Sequence, residues 1–170
     1  MLNNKNISLR AFEESDAETV RAWRFAPQNY DYFYEFVMPN KIQNDAWFQN
    51  TLKKTSEINF IIETKDAKPI GMIALIDIDN RSQKCEMGRV LIGEEDYRSK
   101  GLGREIIKTI LDYAFNHLNM HKVYCEVFAD NAAALGLYKK CGFEEDGYFK
   151  QHVYKNGEFK DIVHLSIFKN

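Results

Sequence analysis

Several features are scarce or missing in this sequence, and each absence narrows the classes of protein to which it can belong. Cysteine occurs only three times in 170 residues, which argues against a disulfide-stapled secreted domain and favours reduced thiols. No apolar run approaches the roughly 18 residues of a membrane-spanning helix, and the first residues have no signal-peptide core. We therefore expect a cytoplasmic protein without a membrane partner.

An excess of charge of either sign is also missing. The net charge of −2 gives no electrostatic reason to expect a nucleic-acid partner. His117 and His121 have the spacing of a metal pair on a helix, but no third ligand is evident, so we predict no metal site. The chain has no internal repeat or linker, and its length indicates one domain, residues 1–170.

The most informative stretch is a glycine-containing turn, residues 97–104, with the sequence Tyr-Arg-Ser-Lys-Gly-Leu-Gly-Arg. Gly101 and Gly103 permit a tight turn. The amide N–H groups of such a turn and the positive end of the following helix dipole together suit a diphosphate. Three cations in the stretch strengthen that prediction, namely Arg98, Lys100 and Arg104.

Two better-known nucleotide motifs do not fit this turn. The chain has no Gly-x-x-x-x-Gly-Lys-Ser/Thr loop, and Ile106 stands where the dinucleotide fingerprint needs a third small residue. A Gly-x-Gly turn before a helix is also common as a plain connection. The turn alone therefore predicts an anion site without identifying the ligand.

Hydrophobic periodicity predicts a mixed α/β (α+β) fold, in which a sheet of seven strands is flanked by helices on both sides. Helices are predicted from Ser15 or Asp16 to about residue 25, from Asn44 or Asp45 to residue 54, over 101–118, and from Asp130-Asn131 to Cys141. The predicted strands are residues 6–12, 58–64, 70–78, 85–93, 122–128, 143–154 and 159–168.

Residues 28–40 are unusual because five aromatic residues alternate with two acids. One interpretation is a short helix that buries its rings. The other is a ligand wall, because aromatic faces with carboxylates between them suit a cationic or ring-shaped partner. On the second interpretation, the candidate substrate-binding residues are Tyr30, Asp31, Tyr34 and Glu35.

Two motifs in this element order resemble those of the GNAT superfamily of acetyl-CoA-dependent N-acetyltransferases. The first is the turn Arg98-Ser-Lys-Gly-Leu-Gly103 after the fourth predicted strand. The second is residues 131–143, Asn-Ala-Ala-Ala-Leu-Gly-Leu-Tyr-Lys-Lys-Cys-Gly-Phe, which is similar to the family signature Asn-x-x-Ala-x-x-Leu-Tyr-x-x-x-Gly-Phe at every fixed position. The resemblance covers essentially the whole chain and is strongest over residues 70–143. It implies that the mixed sheet is mostly antiparallel.

The resemblance implies where acetyl-CoA, the expected cofactor, is bound. The backbone of the glycine turn holds the coenzyme A pyrophosphate, and a splay between the fourth and fifth predicted strands admits the pantetheine arm. Asn131 faces the same arm. The implied cofactor-binding residues are Leu91, Ile92, Gly93, Arg98, Ser99, Lys100, Gly101, Leu102, Gly103, Arg104 and Asn131.

The resemblance also implies two catalytic residues. Tyr138 lies near the thioester sulfur, and a phenol with a pKa of about 10 stays protonated at neutral pH and can donate to a departing thiolate. Glu86 matches a position that often carries an acid, so it is either a base for the acceptor amine, directly or through water, or a residue that only orients the substrate.

The acceptor stays open between several amines. Acetyl transfer to a primary amine of a small molecule, by direct attack in a ternary complex, is expected. Trp23-Arg24 and Trp47-Phe48 resemble amino-sugar-nucleotide acetyltransferases, whereas residues 121–143 with the turn at 156–161 resemble polyamine acetyltransferases. That tail is also similar to ribosomal-protein N-terminal acetyltransferases, and a non-catalytic acyl-CoA-binding module is the remaining alternative. Many relatives are dimers, so a homodimer is expected.

Overall fold

A computed structural model describes residues 1–34 and 38–169, which form eight strands and five α-helices. The strands are β1 (Leu2–Asn3), β2 (Ile7–Ala11), β3 (Ile58–Thr64), β4 (Pro69–Asp79), β5 (Lys84–Ile92), β6 (Lys122–Phe128), β7 (Glu144–Lys155) and β8 (Glu158–Phe168). The helices are α1 (Ala17–Phe25), α2 (Pro27–Tyr30), α3 (Lys41–Lys53), α4 (Leu102–Asp112) and α5 (Ala132–Lys140).

All eight strands belong to one sheet, in the order β1-β2-β3-β4-β5-β6-β8-β7. Every neighbouring pair is antiparallel except β5 and β6, which are parallel. The predicted mixed, mostly antiparallel sheet flanked by helices is therefore confirmed. The predicted count of seven strands was wrong, because β1 pairs Leu2 with Leu9 and Asn3 with Ser8 but is too short to leave a periodic pattern.

Helices cover both faces of the sheet and bury two separate apolar clusters. Successive residues of a strand point to opposite faces, and on β3 Phe60 and Ile62 pack into the cluster beneath α4 and α5, whereas Ile61 packs into the cluster beneath α1 and α3. The two helical layers thus lie on opposite sides, and a ligand that crosses the sheet contacts both.

Two helix boundaries differ from the prediction. Helix α3 is capped by Asn40 and not by Asn44 or Asp45, because Asn40 and Gln43 form a reciprocal capping box with both bonds at 2.9 Å. The single helix predicted over residues 101–118 is divided into α4 and a π-helical turn, Tyr113–His117. Among the described residues, no helix combines the length and apolarity needed to cross a membrane.

Gly71 is required where β4 passes closest to β5. A Cβ atom at this position would lie 2.1 Å from the Leu91 carbonyl oxygen and 3.0 Å from the Ile92 Cα atom. Because both contacts are with backbone, we expect Gly71→Ala to lower the free energy of unfolding by about 2 kcal/mol. Urea titration followed by circular dichroism measures this change.

Gly136 provides the matched control for that substitution. Among the described residues, and apart from the backbone of its own helix, no heavy atom lies within 4 Å of a Cβ placed on Gly136, which is inside α5. Gly136→Ala should therefore raise stability by about 0.5–1 kcal/mol, because alanine is the better helix former. Equal effects of the two substitutions would show that the close approach of β4 to β5 does not require glycine.

Candidate active site

The parallel strands β5 and β6 separate soon after they meet. They are paired only at Lys84–Lys122, Cys85–Val123 and Glu86–Tyr124, after which β6 continues beside β8 as far as Phe128. Arg89 has a φ of 55° at a register shift between β4 and β5, so the bulge lies where β5 leaves β6. The sheet therefore opens into the splay that the sequence predicts.

A cleft of about 750 Å³ occupies this opening. On one face of the sheet it is lined by Ser99, Gly103 and Tyr138, which belong to the glycine turn, α4 and α5. On the other face it is lined by Tyr34 and Glu126. The cleft thus joins the two faces, so that one ligand can enter from each side and meet the other within the sheet.

The glycine turn leads into α4 through a residue that cannot cap the helix with a side chain. Ser99 and Gly101 have φ values of 58° and 79°, and Gly101 precedes α4 without any side-chain cap. The first N–H groups of α4 are therefore available to an anion. A Cβ atom on Gly103 would approach the Leu137 Cδ2 atom to 2.8 Å, so glycine also permits the packing of α4 against α5.

Arg98 connects this turn to the end of β5. Its Nε and Nη2 atoms donate to the carbonyl oxygens of Ile92 and Gly93, each at 3.0 Å. The amide of Gly93 donates to the Ile70 carbonyl at 2.8 Å, so Gly93 closes the ladder with β4. Arg98 therefore holds the turn against the end of β5, and its positive charge lies on the cleft wall.

The remaining predicted coenzyme residues divide between the cleft wall and its surroundings. Leu91 and Ile92 lie on the wall beyond the last β5–β6 pair. Lys100, Gly101, Leu102 and Arg104 lie beside the wall, in the turn and the first turn of α4. The structure thus brings the predicted residues to one end of the cleft, and their contacts with a coenzyme stay predictions.

Tyr138 and Asn131 come to the cleft from α5. Tyr138 is 8% exposed, and burial raises the pKa of its hydroxyl, so the phenol stays protonated at neutral pH. Asn131 caps α5, since its Oδ1 atom accepts from the Ala134 amide at 3.1 Å. The second motif therefore fixes a buried phenol and a helix cap on the same wall.

Two carboxylates occupy the other end of the cleft. Burial, followed by the negative charges of Glu126 and Asp77, raises the pKa of Glu86 to about 7. Glu126 had not been predicted as a site residue, although the alternation of Lys122, Tyr124 and Glu126 along β6 places it on the strand face opposite the buried Val123 and Cys125. This end of the cleft suits a cationic ligand.

The aromatic stretch supplies only part of the predicted substrate wall. Tyr34 lines the cleft and its hydroxyl donates to Glu126 Oε2 at 3.1 Å. Tyr30 instead stacks beneath Lys155, with 3.7 Å from Nζ to the ring centroid, and Asp31 accepts from Asn156 Nδ2 at 2.7 Å. Glu35 lies outside the described residues.

Comparison with known proteins gives consistent matches over most of the chain. The family described as "Acetyltransferase (GNAT) domain" matches residues 6–144. A spermidine N(1)-acetyltransferase of Vibrio cholerae serotype O1 is 28% identical over 167 residues, which are 98% of this chain and 95% of the relative.

Solved structures of a spermidine N-acetyltransferase also match this chain over most of its length. The crystal structure of the Vibrio cholerae spermidine N-acetyltransferase in complex with CoA and spermine superposes with a TM-score of 0.91 at 27% identity, covering 97% of this chain and 96% of that one. A dodecameric structure of that enzyme in an intermediate state has a TM-score of 0.82 at 28% identity, covering 97% and 95%.

Proposed function

The chain belongs to the GNAT acetyltransferase family and is an N-acetyltransferase that takes its acetyl group from acetyl-CoA, and from this premise we propose that its acceptor is a polyamine. The transfer proceeds by direct attack of a primary amine in a ternary complex. The observation that carries the choice of acceptor is the pair of carboxylates, Glu86 and Glu126, in the same cleft as the buried Tyr138.

The coenzyme half of the proposal rests on the uncapped start of α4. Gly101 has no side chain to cap the first amide groups of α4, and phosphate oxygens are suitable acceptors for such groups. The open edge of β5 at Leu91 and Ile92 would pair with the amides of the pantetheine arm, as an added strand would. A donor held in this way has its thioester end directed toward Tyr138.

The chemical half assigns one proton transfer to each of two residues. The acceptor nitrogen attacks the thioester carbonyl carbon, a C–N bond forms and the C–S bond breaks. Tyr138 donates its hydroxyl proton to the departing sulfur, because a buried phenol is protonated before the reaction. Glu86 accepts the proton that the amine loses, directly or through a water molecule, and its pKa near 7 suits that role.

The acidic end of the cleft favours a cationic acceptor over the other amines considered. A neutral sugar hydroxyl surface gains little from two carboxylates, whereas an alkylammonium chain pairs with both of them and packs its methylene groups on Phe33 and Tyr34. The similarity to spermidine acetyltransferases over 98% of the chain supports the same choice. A homodimer stays a proposal, and the Vibrio cholerae dodecamer shows that one relative forms a larger assembly.

A thiol-release assay with three acceptors tests the proposed function. Acetyl-CoA is mixed with spermidine, a nucleotide-linked amino sugar or a basic N-terminal peptide, and free thiol is followed with a chromogenic disulfide. We expect spermidine to give the highest kcat/KM. A higher value for the amino sugar or the peptide would replace the polyamine, and acetyl-CoA binding without turnover of any amine would identify a non-catalytic binding module.

A further inference from the structure

Glu126 is a half-buried carboxylate on the wall of the cleft whose neighbours are a phenol and an imidazole. Its side chain is 27% exposed, and its Oε1 atom lies 3.8 Å from Nδ1 of His164. Its Oε2 atom accepts from the Tyr34 hydroxyl at 3.1 Å. Within residues 1–34 and 38–169, no lysine or arginine forms an ion pair with it.

Two acids in the described part of the chain whose side chains are more deeply buried than that of Glu126 do have cationic partners. Glu57, whose side chain is 6% exposed, lies 2.6 Å from Lys54 and 2.9 Å from Arg89. Glu63, at 7%, lies 2.6 Å from Arg10. Since a buried charge is stable mainly when it is paired, Glu126 lacks the kind of partner that these two carboxylates have.

The side chains around Glu126 hold its carboxylate in place. His164 stands opposite Glu126 in the β6–β8 register and stacks on Tyr124 with ring centroids 5.0 Å apart and an interplanar angle of 15°. The Nδ1 atom of His164 is buried and has no hydrogen-bond partner among the residues that the structure describes. The stacked ring and the Tyr34 hydroxyl thus confine Glu126 from two sides.

The position of Glu126 relative to Glu86 sets the spacing between the two carboxylates. Glu86 is level with Tyr124 in the β5–β6 pairing, and Glu126 is two residues further along β6. Two residues of a strand advance by about 7 Å and neighbouring strands lie about 4.8 Å apart, so the two backbone positions are about 8 Å apart. An aminobutyl arm, with bonds of about 1.5 Å each, has a comparable reach.

We propose that Glu126 is a specificity-determining residue that binds a second ammonium group of the acceptor while Glu86 faces the amine that reacts. The preferred acceptor is therefore a diamine or polyamine, and a monoamine of equal length is a poor substrate. This inference rests on the proposed function, because it concerns the acceptor half of the same cleft. Tyr34, whose ring lies edge to face against Phe128 with centroids 5.2 Å apart, provides apolar surface beside Glu126.

The test compares two acceptors that differ only in the second nitrogen, 1,4-diaminobutane and 1-aminobutane. Glu126→Gln keeps the shape of the side chain and removes its charge. We expect it to lower kcat/KM for the diamine by about 30-fold, the order of one lost charge-assisted contact, and to change kcat/KM for the monoamine by no more than about twofold. Glu144→Gln, an exposed acid on β7, controls for the general loss of one negative charge and should change neither value.

Three results would overturn this assignment. They are equal losses for both amines in Glu126→Gln, no loss for the diamine, and a wild-type protein that does not prefer the diamine. If the wild-type protein turns over neither amine, calorimetric titration of 1,4-diaminobutane into the coenzyme A complex decides the inference alone, and the proposed function fails only if spermidine is not acetylated either. Binding that Glu126→Gln abolishes supports the second ammonium site, and unchanged binding, or no binding to the wild-type protein, refutes it.

Discussion

Tyr138→Phe should lower kcat by about 100-fold while leaving the affinity for coenzyme A unchanged. The substitution removes one hydroxyl from a side chain that is 8% exposed and packs on Phe143 with ring centroids 5.7 Å apart. Phenylalanine fills the same space, so the fold and the cleft are retained. The lost function is the proton donated to the departing thiolate, and a positioned acid contributes about 10²-fold or more.

Two measurements distinguish this role from a structural one. Stopped-flow thiol release at saturating acetyl-CoA and acceptor gives kcat, and calorimetry with coenzyme A gives the dissociation constant. Tyr148→Phe is the matched control, because Tyr148 is exposed on β7 and its hydroxyl donates to Asp161 at 2.6 Å. An unchanged kcat for Tyr138→Phe, or an equal loss for Tyr148→Phe, would remove Tyr138 from the mechanism.

The fold was predictable from the sequence mainly where a local pattern decides the structure. The bounds of β3 and β6 follow from hydrophobic runs that match the observed strands. The turn at Asn156-Gly157 has φ values of 52° and 86°, as the dipeptide predicts. Gly142, with a φ of 97°, ends α5 for the same kind of reason, since glycine tolerates the left-handed region.

Features that depend on contacts between distant parts of the chain could not be predicted in the same way. Glu126 becomes a cleft residue only because β6 leaves β5 after Tyr124 and Tyr34 reaches it from a segment 92 positions earlier. The bonds from Arg98 to the carbonyl oxygens at the end of β5 likewise depend on how the loop folds back. No local propensity encodes either arrangement, although the two family motifs indicated which region contains the site.

The pH dependence of the reaction follows from the environment of Glu86. Burial and two nearby carboxylates raise its pKa to about 7, and only the deprotonated form can accept a proton from the acceptor. As pH rises through 7, the reactive fraction therefore increases. We expect kcat/KM to rise about tenfold per pH unit below this value and to level off above it, up to about pH 8.5, where an alkylammonium is still protonated.

Substitution of Glu86 should remove both the activity and this pH dependence. Glu86→Gln keeps the size of the side chain, and we expect kcat/KM to fall by about 1,000-fold, within the range for a lost general base, with a flat profile between about pH 5.5 and about pH 8.5. Asp77→Asn is the matched control: Asp77 is exposed at the β4 bulge with a φ of 49°, a conformation that asparagine also tolerates.

The control has its own expected direction. Because the charge of Asp77 raises the pKa of Glu86, Asp77→Asn should move the inflection to lower pH and leave the plateau unchanged. A Glu86→Gln enzyme that retains both the wild-type inflection and the wild-type plateau would show that another group takes the proton and that Glu86 has no part in the reaction. A Glu86→Gln enzyme with a lower plateau but the wild-type inflection would instead indicate that Glu86 only orients the acceptor. Loss of orientation lowers the rate at every pH, and it does not remove the ionisation that sets the inflection.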